Sequence, residues 1–216
     1  METVVFGAVM APTRATIVDY GMGNLWSVHS ALNYLGAIAE VSDDPTAVAK
    51  AECLVLPGVG SFNKAMKRLN ASGLSDAILE AVLVRKRKIL GICLGMQLMA
   101  ELGTEDGDCS GLALISGVVG KFSESDLDGN KLPHIGFNRV MFHSGSRLFS
   151  GLGSGADFYF VHSYRLPSGN PFSSAVCSYG TEFTAALERD NVYATQFHPE
   201  KSQTNGLKLL SNFLSI

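Results

Sequence analysis

Short apolar runs alternate with amphipathic stretches in the first half of the chain. Runs of four to eight aliphatic and β-branched residues bounded by turn signals are typical of buried strands. On this basis we predict strands at residues 15–19, 53–56 and 88–92. Apolar residues that recur at helical spacing predict helices at about residues 24–35, 75–85 and 94–102. Strands that alternate with helices indicate a largely parallel sheet that is covered on both faces.

The first predicted helix carries signals for both of its ends. Leu25, Val28 and Leu32 are spaced so that they share one helical face. Asn24 stands where a side chain can cap the helix N-terminus, and Gly36 stands where a helix commonly stops. Trp26 and the aromatic residues near it are expected to pack this helix against the sheet; the alternative is that Trp26 borders a partner surface.

The second half of the chain changes character after about residue 118. Gly- and Ser-rich loops separate short β-like segments, at residues 139–142, 158–162, 175–178, 185–188 and 192–196. A final helix is predicted at about residues 205–213. We therefore predict one α/β domain over residues 15–216, with a mostly parallel central sheet flanked by helices and an antiparallel C-terminal addition. Residues 1–14 are interpreted as an N-terminal extension that could be disordered.

Composition excludes several classes of protein. Charged residues make up 17% of the 216 residues and the net charge is -3. Proteins that bind nucleic-acid phosphates usually carry a strong positive excess, so no nucleic-acid partner is expected. No apolar stretch reaches the roughly 18 residues that a membrane span needs, and the first 14 residues lack the charge pattern of a signal or transit peptide. We predict a cytoplasmic protein without membrane contact.

The four cysteines are scattered along the chain. None forms a Cys-x-x-Cys pair or has a histidine at metal-ligand spacing, so we expect no metal and no cofactor. Such a distribution favours a reducing compartment. Cys53 lies in a predicted buried strand, and Cys109 and Cys177 have no candidate base nearby. Only Cys93 remains as a candidate nucleophile.

Cys93 lies at the centre of a Gly-Ile-Cys-Leu-Gly segment, residues 91–95. This is the Gly-x-nucleophile-x-Gly form of a nucleophile elbow, with cysteine in place of serine. The strand-to-helix turn of such an elbow is so sharp that side chains at the two glycine positions would clash. A predicted strand precedes Cys93 and a predicted helix follows it, as the motif requires. A buried cysteine flanked by packing glycines is the alternative.

A candidate base and its orienting group lie near the C-terminus, in the Gln-Phe-His-Pro-Glu segment of residues 196–200. The proline is expected to hold the backbone extended, so that His198 and Glu200 project to the same side. Glu200 can then accept a hydrogen bond from one ring nitrogen while the other faces Cys93, which is how a nucleophile is activated. A solvated turn is the alternative.

The Pro-Gly-Val-Gly segment of residues 57–60 is a candidate oxyanion hole. Two glycines after a strand allow backbone N–H groups to point at an oxygen. We predict Val59 and Gly60 as donors from this segment, with the backbone N–H of Leu94, first in the helix after the nucleophile, as the second donor site. Taken alone, the segment is equally well explained as an ordinary turn.

Together these motifs resemble the class I glutamine amidotransferases, whose nucleophile segment reads Gly-x-Cys-x-Gly-x-Gln and whose His-Pro-Glu lies near the C-terminus. The resemblance covers residues 15–216 and implies a flavodoxin-like fold. It implies a glutaminase whose catalytic residues are Cys93, His198 and Glu200. It also implies that glutamine is held by substrate-binding residues at four positions: Gly58, Gln97, Ser163 and Tyr164.

Finer motifs resemble one branch of that family, the glutaminase subunits of imidazole glycerol phosphate synthases in histidine biosynthesis. They are residues 19–25, 133–138, 159–164 and 196–202. Ile135 and Phe137 depart from the methionine and tryptophan that are common there. The resemblance implies a heterodimer with a (β/α)₈-barrel synthase (cyclase) subunit, which uses the ammonia to make imidazole glycerol phosphate and releases aminoimidazole carboxamide ribotide. Asn24, Tyr159 and Lys201 match positions that face this partner.

Three other functions remain open. The chain could be a free-standing cysteine hydrolase of γ-glutamyl type, a binding module that kept only the fold, or an amidotransferase subunit of another pathway, such as one feeding an anthranilate synthase. The intact set of Cys93, His198 and Glu200 argues against the binding module. Met96 and the motif at residues 133–138 argue against the other pathway. His134 and His162 are expected to be structural.

Overall fold

The computed structural model describes residues 12–216. Residues 1–11, most of the predicted extension, therefore lie outside the described residues. The first strand begins at Arg14, one residue before the predicted start of the domain. The Arg14 guanidinium lies 2.7 Å from the Glu40 carboxylate on the neighbouring strand, where both side chains are exposed.

Strands and helices alternate in the first half of the chain. The elements are β1 (Arg14–Val18), α1 (Leu25–Tyr34), β2 (Ile38–Ser42), α2 (Pro45–Lys50), β3 (Cys53–Gly58), α3 (Phe62–Ala71), α4 (Leu74–Leu79), β4 (Lys88–Cys93) and α5 (Leu94–Leu98). A π-helical turn, Glu80–Val84, extends α4. The three predicted strands and the first two predicted helices are confirmed. No prediction was made for β2, α2 and α3.

The predicted length of the helix after Cys93 is wrong. We expected it to reach residue 102, but α5 ends at Leu98. The carbonyl oxygens of Leu98 and Met99 accept hydrogen bonds from the backbone N–H groups of Leu112 and Leu114, at 2.8 and 2.9 Å. These carbonyl groups are therefore satisfied by a distant segment, and the chain leaves the helix.

The second half of the chain is rich in strands. Its elements are β5 (Leu102–Gly103), β6 (Cys109–Ser110), β7 (Val118–Lys121), α6 (Glu124–Leu127), β8 (His134–Phe142), β9 (Gly155–His162), β10 (Tyr164–Arg165), β11 (Ser173–Tyr179), β12 (Thr181–Arg189), β13 (Val192–Thr195) and α7 (Gln203–Ser215). A 3₁₀ turn, Pro199–Lys201, precedes α7. Each predicted strand and the final helix are confirmed, with longer bounds in most cases.

Within residues 12–216, nine strands form the main sheet in the order β2-β1-β3-β4-β13-β12-β11-β8-β9. The first five strands are parallel to one another, and every pair from β13–β12 to β8–β9 is antiparallel. A four-stranded sheet, in the order β10-β7-β5-β6, lies apart from the main sheet. The predicted fold class is confirmed, and the antiparallel addition is nearly as large as the parallel part.

Apolar residues cover both faces of the main sheet. Val55 belongs to the core cluster under α1 and α7, whereas its neighbours Leu54 and Leu56 belong to the cluster under α3 and α4. Successive strand residues point to opposite faces, so a strand buried on both sides reads as a continuous apolar run. This explains why β3 was recognisable from its sequence. None of the helices within residues 12–216 is long and apolar enough to span a membrane.

Three adjacent parallel strands bring the predicted motifs to one edge of the sheet. Gly58, at the end of β3, pairs with Cys93 at the end of β4. On the other side of β4, Thr195 of β13 pairs with Ile92. The residues that follow β3, β4 and β13 are therefore neighbours at the carboxyl edge, which is where open α/β sheets bind their ligands.

Candidate active site

The turn at Cys93 has the geometry of a nucleophile elbow. Cys93 ends β4 and precedes α5, with φ 55° and ψ -111°. A positive φ is strained for a residue with a side chain and persists only where the surroundings impose it. A Cβ on Gly91 would lie 2.9 Å from the Gly95 carbonyl group, and a Cβ on Gly95 would overlap the Leu56 carbonyl oxygen. Both glycines are therefore required by close backbone packing.

His198 and Glu200 form a buried pair. Nδ1 of His198 lies 2.8 Å from Oε1 of Glu200, and the two side chains are 2% and 1% exposed. The other ring nitrogen, Nε2, is buried and makes no hydrogen bond of ordinary geometry within residues 12–216. This nitrogen is therefore available to Cys93 as the base that the nucleophile requires.

Charge interactions at this pair favour the protonated imidazole. Burial by itself lowers the pKa of His198, but contacts with the Cys93 and Glu200 side chains outweigh it and raise the pKa to about 10. An imidazolium held between a thiolate and a carboxylate is the arrangement that prepares a cysteine for nucleophilic attack. The structure therefore brings together the three residues that the sequence singled out.

The backbone route between His198 and Glu200 differs from the prediction. We expected an extended segment, but Pro199–Lys201 is a 3₁₀ turn in which the Lys201 N–H donates to the His198 carbonyl oxygen at 3.1 Å. Proline fits the first position of a helical turn because its φ is preset and its missing N–H is not needed there. The turn, and not strand alternation, aligns the carboxylate with the ring.

Strand β9 holds this turn in place. The His198 N–H donates to the Tyr159 carbonyl oxygen at 2.9 Å. The Ser202 hydroxyl donates to the His198 carbonyl oxygen at 2.7 Å and accepts from the Tyr159 N–H at 2.9 Å. The backbone of His198 is thus bonded through both of its polar groups. We call these three hydrogen bonds the Tyr159 clamp.

A pocket of about 220 Å³ lies beside Cys93. This volume is below the roughly 300–1,000 Å³ of sites for drug-sized ligands, and it suits a small amino acid. Its lining residues are Val59, Gly60, Cys93, Leu94, Gln97, Glu105, Val161, His162, Ser163 and Tyr164. The predicted oxyanion residues all line it, and so do three of the four predicted substrate residues.

Gly58, the fourth predicted substrate residue, is not among the residues that line the pocket. It is buried at the end of β3. A Cβ at this position would come within 2.9 Å of the Leu94 Cβ and would overlap the Tyr20 hydroxyl. The glycine therefore allows close packing behind the pocket.

Three lining residues were not predicted as site residues: Glu105, Val161 and His162, the last of which was expected to be structural. Glu105 follows β5, and its carboxylate accepts a hydrogen bond from the Phe62 N–H at 2.9 Å. Partial burial raises the pKa of this carboxyl group, against the effect of that hydrogen bond. No local motif marks Glu105, because its place at the pocket depends on the path of the β5–β6 segment.

His162 and His134 form a buried hydrogen-bonded pair. His162 Nδ1 lies 2.9 Å from the Tyr164 carbonyl oxygen, so this nitrogen carries the proton. The Nε2 of His162 must then accept from Nδ1 of His134, which lies 3.0 Å away. Burial lowers the pKa of His134 to about 4 and that of His162 to about 3. Both rings are therefore neutral at pH 7.

We expect this histidine pair to make the protein less stable as the pH falls below neutrality. The unfolded chain takes up protons near the ordinary histidine pKa of 6.5, but the folded pair does so only near pH 4 and 3. The free energy of unfolding should therefore fall by on the order of 2 kcal/mol per histidine between pH 7 and 5. Urea unfolding at both pH values measures it. The variant His134→Gln keeps a donor without titrating, and an unchanged pH dependence in it would contradict this assignment.

Two of the three residues predicted to face a partner, Tyr159 and Lys201, lie at the catalytic turn. Lys201 Nζ is 5.9 Å from the centre of the Tyr159 ring. The Tyr159 ring in turn contacts Phe137, with centres 5.6 Å apart, and both Phe137 and Ile135 are exposed. We call Ile135, Phe137 and Tyr159 the β8–β9 apolar patch. Asn24 precedes α1, where its side chain accepts from the Ser27 hydroxyl and makes no capping bond to the backbone.

The prediction that Trp26 packs α1 against the sheet is wrong. Its side chain is 80% exposed and contacts His29 edge to face, at 5.8 Å between ring centres. Trp26 shares the outer face of α1 with Ser30 and Asn33, which are also exposed, whereas Val28 is buried. Helical spacing puts residue 26 on the face away from the sheet.

Comparison with known proteins agrees with this geometry. A profile of the class-I glutamine amidotransferase family matches residues 16–216. An imidazole glycerol phosphate synthase subunit HisH 1 of Campylobacter jejuni is 49% identical over 200 residues, which cover 93% of this chain and 98% of that protein. The HisH subunit of Geobacter sulfurreducens is 44% identical, with 93% and 98% covered. The HisH subunit of Acinetobacter baylyi is 40% identical, with 94% and 98% covered.

Solved structures share the fold at much lower identity. PurLQS from Thermotoga maritima superposes with a TM-score of 0.72 at 18% identity and covers 95% of this chain and 99% of that chain. A structure described as a glutamine amidotransferase gives the same TM-score and identity, with 93% and 97% covered. Fold, elbow geometry and family profile agree over nearly the full length. The chain therefore belongs to the class-I glutamine amidotransferase family.

Proposed function

We propose that this chain is the glutaminase subunit of an imidazole glycerol phosphate synthase. It hydrolyses glutamine and passes the ammonia to a (β/α)₈-barrel synthase subunit, which makes imidazole glycerol phosphate and aminoimidazole carboxamide ribotide in histidine biosynthesis. The observation that carries the proposal is Cys93 on its elbow beside the buried His198–Glu200 pair, at the mouth of a small pocket. The pathway is inferred from the imidazole glycerol phosphate synthase subunits that are 40–49% identical to this chain.

The reaction follows from the roles of three side chains. The Cys93 thiolate attacks the side-chain carbonyl carbon of glutamine, and the carbonyl oxygen becomes an oxyanion. His198 gives its proton to the amide nitrogen, and the carbon–nitrogen bond breaks. Ammonia departs, and a glutamyl thioester remains on Cys93. His198 then takes a proton from water, which attacks the thioester and releases glutamate and the thiolate. Glu200 holds the ring orientation in both steps.

Recognition of glutamine is assigned to the pocket wall. The side-chain N–H of Gln97 donates to the Tyr164 carbonyl oxygen at 2.9 Å, which leaves the side-chain oxygen of Gln97 for the substrate. The Glu105 carboxylate suits the α-ammonium group, because it is the acidic side chain among the lining residues. Ser163 and Tyr164 complete the binding wall.

The oxyanion segment is hydrogen-bonded at its start, at Pro57, and just after its end, where the Ser61 hydroxyl donates to the Asp106 carboxylate at 2.7 Å and the Phe62 N–H donates to the Glu105 carboxylate at 2.9 Å. The Tyr20 hydroxyl, which is buried, donates to the Pro57 carbonyl oxygen at 3.0 Å. Beyond that point Val59 is exposed and Gly60 has φ 99°. We propose that the Gly58–Val59 peptide reorients when the partner docks, so that its N–H reaches the oxyanion.

We therefore expect the chain alone to hydrolyse glutamine slowly. Adding the barrel synthase with its nucleotide ligand should raise the rate by roughly 10²-fold or more, because one oxyanion donor typically contributes 10²- to 10³-fold. The measurement is glutamate release with and without the synthase. Rapid hydrolysis by the chain alone, with no rise on adding the synthase, would favour a free-standing γ-glutamyl-type hydrolase.

The β8–β9 apolar patch, together with Asn24 and Lys201, is proposed as the docking surface. A charge buried without a partner is costly, so Ile135→Asp should weaken docking and the stimulation. Val84→Asp is the matched control, because Val84 is also an exposed aliphatic residue but lies on the π-helical turn. Equal loss of stimulation in both variants would remove the patch from the proposal.

A cytoplasmic location belongs to the same proposal, since all four cysteines are free.

A further inference from the structure

Gln196 is a fully buried polar residue that none of the roles assigned above uses. It follows β13, and its backbone N–H donates to the Ala185 carbonyl oxygen at 2.8 Å. Its side chain reaches the catalytic residues on two sides. Nε2 lies 3.8 Å from the Cys93 sulfur, and Oε1 lies 3.0 Å from Nε2 of Gln97.

The orientation of the Gln196 amide follows from its neighbours. The Tyr164 carbonyl oxygen can only accept hydrogen bonds, so the Gln97 atom 2.9 Å away must be the amide nitrogen. The Gln196 atom that faces this nitrogen must then be oxygen. By elimination, Gln196 turns its NH₂ group towards the Cys93 sulfur. The direction of both amides is thus fixed by one backbone carbonyl.

Two neutral groups contact the Cys93 sulfur, and they have opposite effects on the stability of its thiolate form. The Val161 carbonyl oxygen lies 3.8 Å from the Cys93 sulfur, where it accepts from a thiol and repels a thiolate. The Gln196 NH₂ group donates to the sulfur, and a donor stabilises the anion more than the neutral thiol. Thus Gln196 opposes Val161 and acts in the same direction as His198.

We propose that Gln196 is a further catalytic residue, one whose amide N–H stabilises the Cys93 thiolate. It transfers no proton. Its hydrogen bond is strongest before Cys93 attacks and again when the thioester breaks, because the sulfur carries the negative charge at those two stages. The inference deepens the proposed function, since it concerns the same sulfur, but the hydrogen bond is testable without glutamine.

The test is the pH dependence of Cys93 alkylation by iodoacetamide in the full-length chain, followed on the Cys93 peptide by mass spectrometry. Gln196→Leu removes the donor and leaves Gln97 bonded to Tyr164. We expect its alkylation midpoint to rise by about one pH unit, a roughly tenfold loss of thiolate at fixed pH, as the strength of hydrogen bonds to charged groups suggests. In the synthase complex kcat for glutamine should fall by a similar factor, with KM nearly unchanged.

Two further variants separate this role from packing. Gln196→Glu keeps the shape of the side chain and places a carboxyl group beside the sulfur, so its midpoint should rise at least as far. Thr184→Val removes a different buried donor, a hydroxyl that bonds the Pro167 carbonyl oxygen and not the sulfur, and it should leave the midpoint unchanged.

Failure of this inference differs from failure of the proposed function. An unshifted midpoint in both Gln196 variants overturns the role of Gln196, even if the wild-type complex hydrolyses glutamine. A shifted midpoint in a chain that never hydrolyses glutamine, with or without the synthase, overturns the glutaminase proposal and leaves the hydrogen bond in place. Gln196→Glu also covers the case in which Gln196→Leu does not fold.

Discussion

Cys93→Ala should abolish glutamine hydrolysis and leave ammonia-dependent synthesis in the complex intact. Alanine cannot form the thioester, and removing the nucleophile of a comparable triad lowers kcat by roughly 10⁴-fold or more. Cys93 is 6% exposed and its Cβ is retained in alanine, so the elbow keeps its shape. The barrel synthase supplied with ammonium salts does not need the thiol, so its rate should match that of the wild-type complex.

Two assays on the same complex measure this result: glutamate release, and product formation from glutamine or from ammonium chloride. Cys109→Ala is the matched control, because Cys109 is a partly exposed cysteine on β6 and does not line the pocket. It should leave both rates unchanged. Loss of the ammonia-dependent rate in Cys93→Ala would contradict the division of labour between the subunits.

Gly95→Ala should destabilise the whole chain. A Cβ at Gly95 would overlap the Leu56 carbonyl oxygen of β3, and a backbone atom in a central strand cannot move aside as a flexible side chain could. We expect the free energy of unfolding to fall by about 3 kcal/mol or more, at the upper end of overpacking effects. Urea unfolding of the isolated chain measures it.

The control for this substitution is Gly120→Ala on β7. A Cβ there meets no atom within 4 Å, and its φ lies outside the strained positive range. The change in unfolding free energy should be small by comparison. Similar losses of unfolding free energy in the two variants would show that the close contact between α5 and β3 is not the reason for glycine at position 95.

The parts of the fold that the sequence predicted are those with strong local patterns. Strands β3 and β4 are continuous apolar runs because they are buried on both faces, and Gly91 and Gly95 mark the elbow because a tight turn excludes side chains. His198 and Glu200 are recognisable because they occur in one short motif. In each case the physical requirement acts on neighbouring residues, so a single stretch of sequence records it.

The parts that were missed depend on distant segments. Helix α5 ends early because Leu112 and Leu114 satisfy its following carbonyl groups, and nothing within residues 94–102 records that. Glu105 lines the pocket because of the path that the chain takes between β5 and β6, and no local motif marks this position. Strand β2, at the edge of the sheet, is mostly exposed and shows only a weak apolar pattern.

The Tyr159 clamp gives surface contacts a direct mechanical route to the general base. The Tyr159 ring belongs to the β8–β9 apolar patch, while the peptide groups of the same residue hold the backbone of His198. A protein that contacts this ring is therefore separated from the His198 backbone by a single residue, Tyr159. A docking protein that displaces the Tyr159 ring is therefore expected to shift the His198 imidazole relative to the Cys93 sulfur without first contacting the pocket.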